Sequence, residues 1–187
     1  LYVVLDIFSR FVVAFTVAAS EDSLLAKELL EQAMGVHGIP DVVHADRGTS
    51  MTSKPVAQLL VDLGVTRSHS RPRVSNDNPY SESAFKTLKY APAFPDTFGS
   101  LADARAFADR FFGYYNHEHR HCGIGLHTPA SVHYGTAGQV RTQRQHTLDA
   151  AYAARPERFG HRRPTPPKLP DQVWINQPSR EALVQSA

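Results

Sequence analysis

The sequence predicts an α/β fold with a mixed sheet flanked by helices. Three observations carry this: two β-branched and aromatic runs joined by two residues at the start, apolar residues at helical spacing after them, and the element order β-β-α-β-α-β-α-α that continues from there. A length of 187 residues suits one domain of ordinary size with a tail, at roughly 100–200 residues per domain.

Leu1–Phe8 and Phe11–Val17 read as strands, and the Ser9-Arg10 connection is short enough to require an antiparallel hairpin. Ser23 is the expected N-cap of a helix carrying Leu24, Leu25, Leu29, Leu30 and Ala33 at helical spacing, closed by Gly35, Gly38 and Pro40. Asp41–Ala45 is a short strand of buried type that runs into Asp46-Arg47-Gly48. Ser53–Leu63 reads as a second helix, with Leu59, Leu60 and Leu63 inward, and Val65–His69 as another strand. Arg71–Asn78 is a polar loop, and Pro79 suits the first position of a helix reaching Tyr90. A longer helix is expected over 101–116, with Ala106, Phe107, Phe111, Phe112 and Tyr115 on its apolar side. From Gly135 a polar helical stretch leads into the Pro-rich segment 163–170 and an apolar tail around Trp174. The expected division is therefore a core over 1–134 and a basic, Pro-rich extension over 135–187.

Composition excludes some classes. No apolar run reaches the roughly 18–20 residues that cross a bilayer, and no signal-peptide pattern opens the chain. The single cysteine, Cys122, forms no internal disulfide, which fits a reducing, cytoplasmic setting. Net charge is only +2 but uneven: residues 1–50 carry −4 and residues 141–180 carry +5. An acidic region and a basic one suit a protein that gathers cations at one place and touches a polyanion at another. The first residue is Leu rather than Met, so the sequence is expected to start inside a longer reading frame.

Two carboxylates stand out by position. Asp46 lies where a buried strand meets a Gly-containing loop, the place where α/β sheets collect ligands. Glu82 lies in the first turn of a helix, with thirty-five residues (47–81) between the two. Such acids offer hard oxygen ligands to Mg²⁺ or Mn²⁺, and paired ions can serve in-line phosphoryl transfer. Lys86 and Lys89 fall on the same helix face as Glu82, where they would hold the phosphates of a nucleic acid.

His44-Ala-Asp-Arg-Gly48 and the run from Arg71 through Asn78-Pro-Tyr-Ser-Glu82 to Lys89 resemble the integrase core of insertion-sequence transposases of the IS3 type, related to retroviral integrases. Tyr115-Asn116, Arg120-His121, Gly123-Ile-Gly125 and Thr128-Pro129 resemble that group's next signature, and Val132–Gly135, Pro156–Phe159 and Val173–Asn176 its continuation. The resemblance implies an RNase H-like fold and an Asp-Asp-35-Glu mechanism, in which two metal ions held by three acids cut donor DNA ends and join them to a target. It places Asp46 on the second acid and Glu82 on the third, as metal ligands, and Lys86 and Lys89 near DNA. Arg71 and Arg73, in the preceding loop, join them in the expected DNA-binding set. It also implies multimers on paired DNA ends, in a bacterial, nucleoid-associated setting.

The family's first aspartate is expected on a strand upstream of Leu1, so a site with two of three acids is expected to have impaired strand transfer. Asp6 reads instead as a structural residue of the hairpin. Two rivals stand beside the transposase reading: a non-catalytic DNA-binding remnant, and an RNase H-like nuclease acting on hybrids or junctions. His117, His119, His121 and Cys122 cluster, but their spacing does not separate ligand pairs as structural zinc sites do. Trp174 reads as a packing anchor, and Arg162, Arg163 and Lys168 as either DNA contacts or a flexible basic tail.

Overall fold

The computed structural model describes residues 1–71 and 77–175. The chain forms two compact units, one comprising Leu1–Leu5, Val13–Arg105 and the described residues from Val173, the other Asp6–Val12 and Ala106–Gln172.

The first unit carries the strands. β1 (Tyr2–Leu5) pairs with β2 (Val12–Thr16), and β3 (Val42–Ala45) with β4 (Thr66–His69), as two separate two-stranded sheets. The β3–β4 pair is parallel, with Val42 opposite Thr66 and Ala45 opposite His69, so both strands end at one edge. α2 (Lys54–Asp62) supplies the crossover a parallel pair needs. α1 (Ser23–His37) turns Ala26, Leu30 and Met34 onto Val56, Leu59 and Leu60 of α2, with Val65 completing the cluster. These positions repeat every three or four residues, which is why one stripe of each helix is buried. The cap of α1 is Asp22 rather than Ser23: its carboxylate accepts from the Leu24 amide at 2.7 Å. Asp22 has the extended backbone of a cap, whereas Ser23 is already the first residue of the helix. α3 (Pro79–Lys89) buries Ala84 and Leu88, and its Tyr80 hydroxyl donates to the Trp174 carbonyl at 2.9 Å.

The second unit is helical. α4 (Leu101–His117) buries Phe111, Phe112 and Tyr115 of the expected apolar side together with Ala108 and Asn116, while Phe107 is half-buried and Ala106 is exposed. A short α5 (Pro129–His133) follows, capped by the Thr128 hydroxyl and started by Pro129. α6 (Ala137–Ala154) buries only Ala137. The first hairpin turn is also longer than expected. The Asp6 carboxylate accepts from the Phe8 and Ser9 amides and the Ser9 hydroxyl, which ends β1 at Leu5. Burial pushes that carboxyl up, but these bonds and one from His133 outweigh it and hold it below its ordinary range.

The Pro-rich segment is packed rather than loose. Leu169 lies against the cluster of Ile124, Val132 and Ala137, Pro166 is buried, and Arg163 forks onto Asp149 through two 2.8 Å bonds. Apolar proline rings and a bidentate ion pair give this basic stretch partners that composition alone does not reveal.

Candidate active site

The parallel pair places its two following loops side by side, and a lattice of polar bonds sews them together. Asp46 directly follows β3 and is exposed. Its carboxylate accepts from the Gly48 amide at 3.0 Å, and its carbonyl accepts from His69 Nδ1, at the end of β4, at 3.1 Å. Arg47 Nε donates to the Ser70 carbonyl at 3.1 Å. A side chain at 48 would meet the Asp46 carboxylate at 3.0 Å, so glycine keeps that oxygen in place.

His44 extends the lattice to the segment that starts α3. Its Nε2 donates to the Asp77 carbonyl at 2.8 Å, which leaves Nδ1 to accept from the Ser68 hydroxyl at 3.0 Å. Asp77 is 1% exposed. Its carboxylate takes the Arg71 amide at 2.7 Å and the Arg71 guanidinium through bonds of 2.9 and 2.8 Å. The guanidinium of Arg71, expected to meet DNA, is thus bound to Asp77, and its pKa is raised by that hydrogen bond and the carboxylate's charge. Arg73 lies outside the described residues.

Glu82 follows in the first turn of α3, where the unpaired amides of the helix start favour an acid. Glu82, Lys86 and Lys89 are all exposed, on the face opposite Ala84 and Leu88. Asp46 and Glu82 therefore stand on elements joined through His44 and Asp77, and no direct bond links the two acids. Their oxygens suit Mg²⁺, which keeps several waters and takes one or two carboxylates. Among the described residues, no group of three His, Cys, Asp or Glu side chains is gathered to hold a metal.

Sequence reasoning missed Glu21. Its carboxylate accepts from the Ser50 amide at 3.0 Å and the Ser50 hydroxyl at 2.8 Å, bonds that with one from Thr49 depress its pKa. It comes within 3.8 Å of where a side chain at 48 would sit, so it borders the Asp46 loop and fixes its course. No local pattern marks it, because the contact is made between residues twenty-nine apart.

The signature residues of the second unit have structural work. Asn116 accepts from the Val12 amide at 2.9 Å and donates to the Val12 carbonyl at 3.0 Å, as a neighbouring strand would. His121 accepts from the Gly123 amide and starts a tight turn over Cys122–Ile124. Burial, with Arg10 and His119 adding, lowers its pKa to about 4.

This arrangement has relatives. Residues 1–75 and 63–129 match two family models, each described as an integrase core domain. The chain belongs to the integrase core family. It is 31% identical over 128 residues to the transposase for insertion sequence element IS904 of Lactococcus lactis, covering 67% of this chain and 51% of that protein. It is 27% identical over 130 residues to a probable transposase for element IS1353 of Shigella flexneri, covering 67% and 25%. The integrase core chain thus spans about half the length of the first relative and a quarter of the second.

Solved structures agree on the fold. A chain of the simian T-cell lymphotropic virus intasome, solved with the PP2A regulatory subunit B56 gamma, matches with a TM-score of 0.54 and 21% identity, over 69% of this chain and 46% of that one. The catalytic core domain of BIV integrase matches with a TM-score of 0.50 and 21% identity, over 66% and 78%. This integrase core has the RNase H-like fold of retroviral integrase catalytic cores. No helix among the described residues is long and apolar enough to cross a membrane.

Proposed function

We infer that this chain is the catalytic portion of an enzyme that cuts and joins DNA strands during transposition of an insertion element. The observation that carries the reading is the placement of Asp46 at the carboxyl end of the parallel strands, with the helix of Glu82 fastened to that strand through His44 and Asp77. Asp46 and Glu82 would hold Mg²⁺ or Mn²⁺. Such ions, when bound, polarise a phosphoryl oxygen and make a water or 3′-hydroxyl a stronger nucleophile. Lys86 and Lys89, one and two turns beyond Glu82, lie where backbone phosphates would pass, and their charge would orient a strand without reading its sequence. The substrates on this reading are element ends and target DNA, handled by more than one copy of the chain.

A second reading is favoured by one observation. Only two acids of an Asp-Asp-Glu set are identified, and no third His, Cys, Asp or Glu joins them among the described residues. These 187 residues alone would then bind DNA and join it poorly. One experiment separates the readings: incubate the chain with labelled element ends, a target plasmid and Mn²⁺, beside its Asp46→Asn and Glu82→Gln variants. Metal-dependent nicking or joining that both substitutions abolish supports the enzyme reading. Duplex binding without any metal-dependent product supports the second, and products indifferent to both substitutions would overturn the assignment of Asp46 and Glu82.

A further inference from the structure

The second unit holds a group of cations that the site above does not use. His127 is 1% exposed, and among the described residues neither of its ring nitrogens has a hydrogen-bond partner; the same holds for the buried Nε of Arg141. Burial of polar nitrogens without partners is costly and uncommon in native structures. The backbone fixes where these atoms sit. His121 and His127 pair in an antiparallel bridge, and the Arg144 guanidinium donates to the carbonyls of Gly125 and Leu126, just before His127.

Charge sharpens the point. The groups that bear electrostatically on His127 are Arg144, Arg120 and Arg141, and Arg120 bears on Arg144 in turn; both residues are held below their ordinary pKa by burial first and by these cations second. Asp149, the one acid of α6, is occupied by Arg163 and Gln145. α6 buries only Ala137, so covering a core does not explain why Arg141 and Arg144 stand one turn apart on it. Like charges grouped together repel, and a bound anion reduces the repulsion while accepting the unspent donors.

We propose that Arg120, Arg141 and Arg144, grouped about the buried His127, form a seat for a backbone phosphate of DNA. Guanidinium groups suit this ligand because their planar forks match phosphate oxygens two at a time. The choice of DNA rests on the function proposed above, whereas the seat itself rests on the unpartnered nitrogens and the grouped charge. It lies in the second unit, apart in the chain from Lys86 and Lys89.

The test uses the whole chain and a short fluorescent duplex, with affinity followed by anisotropy across a salt series. Arg120→Gln and Arg141→Gln should each lower the slope of log K against log salt by about 1, and the double variant by about 2. Lys27→Gln, on a residue paired with Glu31, should leave it unchanged. Circular dichroism melts establish that the variants are folded. In parallel, the His127 ring resonances of ¹⁵N-labelled protein should move saturably with inorganic phosphate, and cease to do so in the double variant.

Unchanged slopes in both arginine variants, with slopes lowered by Lys86→Gln and Lys89→Gln, overturn the seat and leave the DNA-joining reading standing. The reverse pattern upholds the seat and counts against the α3 face. If the wild-type chain binds phosphate at His127 but no duplex at any salt, DNA is overturned as the ligand.

Discussion

His44 Nε2 and the carbonyl oxygen of Asp77 lie 2.8 Å apart, joining the strand that delivers Asp46 to the segment that starts the helix of Glu82. The bond spans thirty-three residues of chain and lies beside the largely buried carboxylate that Arg71 grips. His44→Ala leaves the Asp77 carbonyl and the Ser68 hydroxyl without this partner. The expected loss is roughly 1–3 kcal/mol, measured by urea unfolding. His44→Gln, which can still donate to the carbonyl, should recover part of it. Equal stability of the alanine variant and the parent would mean that the bond does not hold the two elements.

Asn116 substitutes for a strand neighbour at Val12, satisfying its amide and its carbonyl together. Both residues are buried, Asn116 at 8% exposure and Val12 at 4%. Asn116→Ala should therefore cost on the order of 2–4 kcal/mol, since two buried backbone groups lose their bonds at once. Asn116→Asp keeps the acceptor but loses the donor, and should fall between. Thermal melts of the three proteins check the order.

Gly125 combines a φ of +66° with a close approach: a Cβ there would lie 2.8 Å from the Lys168 carbonyl oxygen and 3.0 Å from its carbon. Backbone strain and overlap act together, so Gly125→Ala should destabilise by roughly 2–4 kcal/mol. Gly138, in α6 with open space around it, is the contrast: Gly138→Ala should stabilise by roughly 0.5–1 kcal/mol through helix propensity. Chemical denaturation of both variants tests the pair.

Acid sensitivity follows from His121. Its ring stays neutral in the folded protein down to about pH 4, because burial opposes the charged form and Arg10 and His119 add to that. The unfolded chain protonates near the ordinary value of about 6.5. The unfolded state thus binds more protons between these values, so stability is complete above about pH 6.5 and declines as pH falls toward 4. Allowing for solvent screening of a half-buried group, the decline is on the order of 1–3 kcal/mol. His121→Asn, which can still accept from the Gly123 amide, should flatten the stability profile across that interval. A profile as steep as the parent's would assign the acid sensitivity to other groups.

Local chemistry made much of this protein legible in its sequence. Periodic leucines, Pro79 at a helix start and the glycine after His37 mark α1 to α3 within a residue or two, because amphipathic spacing and end signals act over a few residues. Asp46 and Glu82 stand at the strand end and the helix start that the sequence predicts, and the motifs around them mark the family. What the sequence could not decide lies in bonds between distant residues. Asp22 rather than Ser23 caps α1, where Tyr2 also donates its hydroxyl to the neighbouring carbonyl; Glu21 borders Asp46; Arg71 turns to Asp77; and Pro166 and Leu169 pack instead of trailing. Propensity and spacing set which conformation a short stretch prefers. Only the folded chain decides which distant donor, acceptor or apolar surface that stretch meets, because burial makes an unpartnered group too costly to leave alone.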